Sequence, residues 1–127
     1  MNPSRAYART QNETASKERL MVLLFEAALK HIRAGATALE AGQRAQGVDS
    51  ILKASDIVVE LSATLDPSRS PELGQTLKDL YVFVTQRLLK AATTASATPA
   101  REAERVFAPI ADGFAVAVSS LATQAAR

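Results

Sequence analysis

The placement of helix-breaking residues constrains this chain most. Its prolines and glycines, five of each in 127 residues, fall mostly between stretches in which apolar residues recur every three or four positions. Those stretches are rich in Ala, Leu, Glu, Gln and Arg, strong helix formers. Helical periodicity bounded by turn residues predicts an all-α fold. The length fits one domain that can bury a core without disulfides or a structural metal.

Residues Met1 to Thr14 carry Asn, Pro, Ser, Gln and charge around a solitary Tyr7, with no apolar period. They read as an irregular N-terminal arm. Ser16 can cap a first helix that runs to about Ala41 and stops at Gly42. After the Gly42 to Gly47 turn, Asp49 or Ser50 starts a second helix carrying Ile51, Ala54, Val58, Leu61 and Leu65, until Asp66-Pro67 ends it. Ser70-Pro71-Glu72 supplies a cap, a first-turn proline and a first-turn acid for a third helix to about Ala92. The small residues Thr93 to Thr98 form a loop. Thr98-Pro99 starts a fourth helix to about Leu121, with Pro109 inside it and a kink expected near Ala108. Four helices on short connections predict an antiparallel up-down four-helix bundle over residues 15–122, with an arm at 1–14 and a short tail at 123–127.

The sequence offers catalysis little. With no cysteine and one histidine, a thiolate metal site, a Cys nucleophile and a disulfide framework are excluded. The carboxylates Glu26, Glu40, Asp56, Glu60 and Asp79 fall at solvent-facing helical positions, and no Glu-x-x-His pair accompanies them to hold a metal. His31, on the flank of the first apolar face, reads as a half-buried packing residue. No glycine-rich phosphate loop or Gly-x-Ser-x-Gly motif occurs. A protein with no enzymatic site, cofactor or metal is expected. The net charge of +2, with both signs interspersed, argues against nucleic acid. The longest apolar run, Leu20 to Phe25, is too short to span a membrane, and no signal peptide opens the chain, so a cytoplasmic location is expected.

What remains is an excess of apolar surface. At about 100° per residue, Glu26, Lys30, Arg33, Thr37 and Glu40 make one polar stripe on the first helix. Met21, Phe25, Ala28, Ile32 and Leu39 centre its buried face. Leu20, Leu24 and Ala27 flank that face on one side, Val22 and Leu29 on the other, and Leu23 adds to the apolar run. On the third helix Leu73, Leu77, Leu80, Val84, Leu88 and Ala91 form the expected core stripe. Val82 and Leu89 point roughly 140° or more away from it. Leu52 and Val59 likewise stand off the Ile51-Val58-Leu61 stripe. Leu20, Leu23, Leu24, Leu52, Val59, Val82 and Leu89 are therefore candidate contacts for an amphipathic partner helix. A second copy of the chain, as a homodimer or a self-associating structural bundle, would use the same residues.

Thr14-Ala15-Ser16, the run Leu20-Met21-Val22-Leu23-Leu24-Phe25, Lys53-Ala54, Ile57-Val58, Glu60-Leu61, Leu65-Asp66, Leu80-Tyr81 and Arg87-Leu88-Leu89 stand in the order and spacing of a known family. Together they resemble the flagellar secretion chaperones of the FliS type, over about residues 5 to 118. Tyr7 is similar to an arm tyrosine of that family, and Phe114 stands near its helix-four tryptophan. The resemblance implies a helical bundle that binds the disordered C-terminal region of flagellin in apolar grooves. It also implies that the chaperone prevents premature polymerisation and delivers flagellin to a component of the flagellar export gate. It further implies that the arm, through Tyr7, can occupy a groove when flagellin is absent. A helical chaperone or adaptor for another secreted client would use the same grooves. The chain departs from the family pattern at Lys17 (a proline there), Arg19 (an acid), Phe25 (a tyrosine), Val82 (an aspartate) and Ala92 (an asparagine).

Overall fold

The computed structural model describes the backbone of residues 3–66 and 70–125, and the side chains of that range except those of 3–16, 122 and 125. Four helices follow one another: α1 (Pro3–Glu40), α2 (Arg44–Ala63), α3 (Pro71–Thr94) and α4 (Ala97–Ala125). α1 packs on α2 and α4, and α3 packs on the same two helices. Sequential helices that touch across short connections must run antiparallel, so the four form an up-down-up-down bundle. The described residues contain no strand.

Helix stops follow local chemistry. Gly42 takes the left-handed conformation at φ 77°. Its N–H donates to the Leu39 carbonyl at 3.1 Å, and the Gln43 N–H donates to Ala38 at 2.8 Å. This pair of bonds satisfies carbonyls that the end of α1 would otherwise leave open. Ala95 does the same for α3 at φ 49°, with the Ser96 N–H donating to Ala91 at 3.1 Å. A residue with a Cβ pays about 1–2 kcal/mol for that conformation. Ser70, Pro71 and Glu72 open α3 as the sequence predicts, although the Ser70 side chain makes no capping bond.

Three boundaries differ from the sequence expectation. Residues 3–14, expected as an irregular arm, continue α1 as helix, and Ser16 lies inside α1 rather than capping it. Between Pro3 and Gly35 no proline or glycine interrupts the chain, so nothing stops a helix once begun. α2 starts at Arg44, with Gln43 at its N-cap, instead of at Asp49 or Ser50. Gly47 is consequently a helical residue, and its use is proximity rather than turning. A Cβ on Gly35 would lie 2.6 Å from Ile51 Cδ1 and 3.1 Å from the Gly47 oxygen; one on Gly47 would lie 2.7 Å from Leu39 Cγ and 3.1 Å from the Gly35 oxygen. The two glycines let α1 and α2 cross backbone against backbone. Finally, the break between α3 and α4 is confined to Ala95 and Ser96, and α4 runs through Pro109.

The core is one cluster. Phe25, Ala28, Leu29, Ile32 and Ala36 of α1 meet Ile51, Ala54, Val58 and Leu61 of α2, Tyr81, Val84, Leu88 and Ala91 of α3, and Ala100, Ala103, Phe107 and Ala111 of α4. Phe25 stacks at a tilt against Phe107 at 5.7 Å and against Phe114 at 4.9 Å between ring centroids. Full burial of a side chain such as Ile32, Ile51, Leu61 or Leu88 is worth about 1.5–3 kcal/mol each. On α3 the stripe is rotated from the expected one. Tyr81 is buried, Leu80 only half so, and Leu73 is 59% exposed. Leu73 has the right helical phase but sits in the first turn of α3, level with the end of α2, where little remains to cover it. Burial pushes the Tyr81 phenol above its ordinary pKa.

An ion chain fastens α4 to α1. Arg101 holds Glu40 through two contacts, at 2.6 Å and 3.3 Å, and reaches Thr37 Oγ1 at 3.2 Å. Arg101 also donates to Glu104 at 3.1 Å, and Arg33 donates to the other Glu104 oxygen at 2.8 Å. The Arg101 hydrogen bond holds the Glu40 carboxyl below its usual pKa. Burial pushes Glu104 upward, but its bonds from Arg33 and Arg101 outweigh that and lower it. Arg101 is raised in return, chiefly by its bond to Glu40.

Candidate protein-binding surface

The Gly35–Gly47 crossing fixes how the outer sides of α1 and α2 align. Because the helices are antiparallel, each step back along α1 from Gly35 matches a step forward along α2 from Gly47. His31 therefore lies level with Ile51 and Leu52, and Leu23 and Leu24 level with Val58 and Val59. On α1, Leu20, Leu24, Ala27 and His31 lie on the flank opposite Arg33 and Glu40, which face α4. On α2, Leu52 and Val59 lie roughly 90° outward from Ile51, which touches Gly35. Leu20, Leu23, Leu52 and Val59 are 57%, 56%, 47% and 58% exposed. Leu24 and His31 are half-buried, and Leu24 packs on the core. Leu20, Leu24, Leu52 and Val59 thus share the outer seam between α1 and α2, the candidate groove for a partner helix.

Charges edge this groove without entering it. Arg19 and Lys30 are exposed on the α1 side, with Glu26 nearby; Asp49, Asp56 and Glu60 are exposed on the α2 side. Asp49 is paired with Lys53 at 3.0 Å one turn away. Such an exposed pair contributes little energy.

The remaining candidates lie elsewhere. Val82 and Leu89, 46% and 58% exposed, stand on α3 roughly 150° round from Arg87, which reaches Glu102 of α4 at 3.8 Å. They are thus on the α2 flank of α3, among Gln75, Lys78 and Gln86. The side chain of Tyr7 lies outside the described residues. Sequence reasoning does not single out Phe83 of α3 or Val116 and Leu121 of α4, which are also exposed. Their signal, apolar residues among polar neighbours, is the same one that marks Val82 and Leu89. Phe83 also lies under the Arg87 guanidinium at 5.8 Å.

Other chemistry is sparse. Among the described residues no His, Asp or Glu group is arranged to hold a metal ion, and no helix is long and apolar enough to cross a membrane. One shallow depression, lined by Ser62, Leu65, Pro71, Gly74, Gln75 and Lys78, lies where α2 meets α3.

The fold is thus an all-α four-helix bundle with exposed leucines and valines on several of its helices. Over residues 1–121 the chain matches the family model of the flagellar protein FliS. It is also similar to the protein named flagellar secretion chaperone FliS of Bacillus subtilis (strain 168), with 32% identity over 90 residues, 71% of this chain and 66% of that protein. The match thus spans just under two thirds of that relative's length. The chain belongs to the FliS family.

Proposed function

We propose that this protein is a cytosolic export chaperone that binds the disordered C-terminal region of flagellin in its apolar grooves. By covering the segment it keeps flagellin from polymerising early, and it delivers the subunit to the flagellar export apparatus through a gate component. What supports this reading is the set of exposed Leu20, Leu52 and Val59 with half-buried Leu24 along the α1/α2 seam, and exposed Leu23 just outside it, in a chain of the FliS family.

The physics suits the task. Nothing is turned over, so no catalytic group is needed. Burying about 1,000–3,000 Å² while ordering a disordered tail gives up several kcal/mol of gross interaction, which keeps the complex dissociable. The test is titration of the flagellin C-terminal segment into Leu23→Asp and Val59→Asp variants. Each should lose about tenfold or more in affinity, with helical circular dichroism unchanged. Unchanged affinity in both would remove the α1/α2 groove from the binding site.

A further inference from the structure

The two halves of α4 are held very differently. From Ala97 to Ala111 the helix places Ala100, Ala103, Phe107 and Ala111 in the core. The same half carries Arg101, Glu102 and Glu104, which pair with Glu40, Arg87 and Arg33. From Asp112 onward no described residue is buried and no ion pair is made among the described residues. Phe114, Ala115 and Val118 are half-buried, while Val116 and Leu121 are 65% and 51% exposed. The side-chain hydrogen bond in this half, Thr123 to the Ser119 carbonyl, is internal to it.

The junction is weak in its backbone as well. Pro109 has no N–H to donate to the Arg105 carbonyl, which removes one helical bond at the boundary. One turn later Gly113 contributes no side chain, and a Cβ there would meet nothing within 4 Å. Glycine also lowers helix propensity at that point. Segments with little buried apolar contact and solvent-exposed backbone bonds are those that open separately from the rest of a fold.

We infer that residues 112–125 of α4 form a strap, hinged between Pro109 and Gly113, that swings off the bundle while the rest stays folded. The contact it releases is that of Phe114 with Phe25, 4.9 Å between centroids. Its opening bares the face of α1 around Met21 and Phe25, next to the exposed Leu20, and so extends the apolar surface of that helix. The hinge is a property of the free protein and stands whether or not flagellin is the client.

Native-state hydrogen exchange of the full chain, read residue by residue across low urea concentrations, tests it. Amides of residues 116–121 should exchange at least about 100-fold faster than those of 103–107, with a urea dependence clearly smaller than that of global unfolding, since only the strap and the α1 face under it become exposed. The 103–107 amides should show the steep urea dependence of global unfolding. Pro109→Ala with Gly113→Ala should slow exchange at 116–121 by about tenfold or more. Equal rates and equal urea slopes in the two halves would show that α4 opens only as one unit and would overturn the hinge.

Discussion

Substituting alanine for Gly35 and, separately, for Gly113 isolates the close approach of α1 and α2. Both glycines are helical, so both replacements gain about 0.8–1.0 kcal/mol of intrinsic helix propensity. At Gly113 the added methyl meets nothing within 4 Å, and the gain should appear in full. At Gly35 it would lie 2.6 Å and 2.7 Å from two Ile51 carbons and 3.1 Å from the Gly47 oxygen. Ile51 can yield in part, but it is fully buried and the Gly47 oxygen is backbone. Overpacking of this kind costs about 1–3 kcal/mol. The propensity terms cancel between the two variants, so their stabilities should differ by that overpacking cost. With an unfolding entropy of about 2.1 cal/mol/K per residue, each kcal/mol moves Tm by about 4 °C in a chain this long. Thermal melting followed by circular dichroism should therefore place Gly35→Ala about 4–12 °C below Gly113→Ala. Equal stabilisation by both would mean that α1 and α2 do not meet at these residues.

Three further outcomes are expected. The carboxyls of Glu40 and Glu104 titrate below their ordinary value of 4.5 in the folded chain. Their stabilisation should thus be complete above about pH 4.5 and fade as pH falls through the lowered folded values, and Arg101→Ala should flatten that acid limb in urea melts. Val82→Asp and Leu89→Asp should leave cooperative melting within about 0.5 kcal/mol of the parent chain yet weaken partner binding; lost helix or lost cooperativity would make them structural. Deleting residues 1–12 should leave affinity for the flagellin segment unchanged or tighter, and a large loss in the titration would mean that this segment contacts the client.

Much of the fold was legible because helix stops and apolar phase are local signals. Gly42 and Ser70-Pro71-Glu72 mark their boundaries by conformational chemistry that needs no partner. Gly47 was misplaced for the opposite reason: a glycine that turns the chain and one that lets two helices touch are identical in sequence. Only the position of Gly35 and Ile51 across the interface tells them apart. Leu73 shows a related limit, since phase can assign a residue to the inner face but cannot say where the neighbouring helix ends. On the surface, periodicity found Leu52, Val59, Val82 and Leu89 as exposed apolar positions. It could not show that Leu52 and Val59 lie on the same seam as Leu20 and Leu24, because that alignment is set by the crossing of α1 and α2.

The central claim is tested most directly by calorimetric titration of the full chain with the C-terminal segment of flagellin from the same organism, followed by circular dichroism of the mixture. One-to-one binding at micromolar affinity or tighter, with more helix than the two components sum to, is the predicted result. No heat and no added helix would contradict the chaperone assignment and direct the search to a different secreted client.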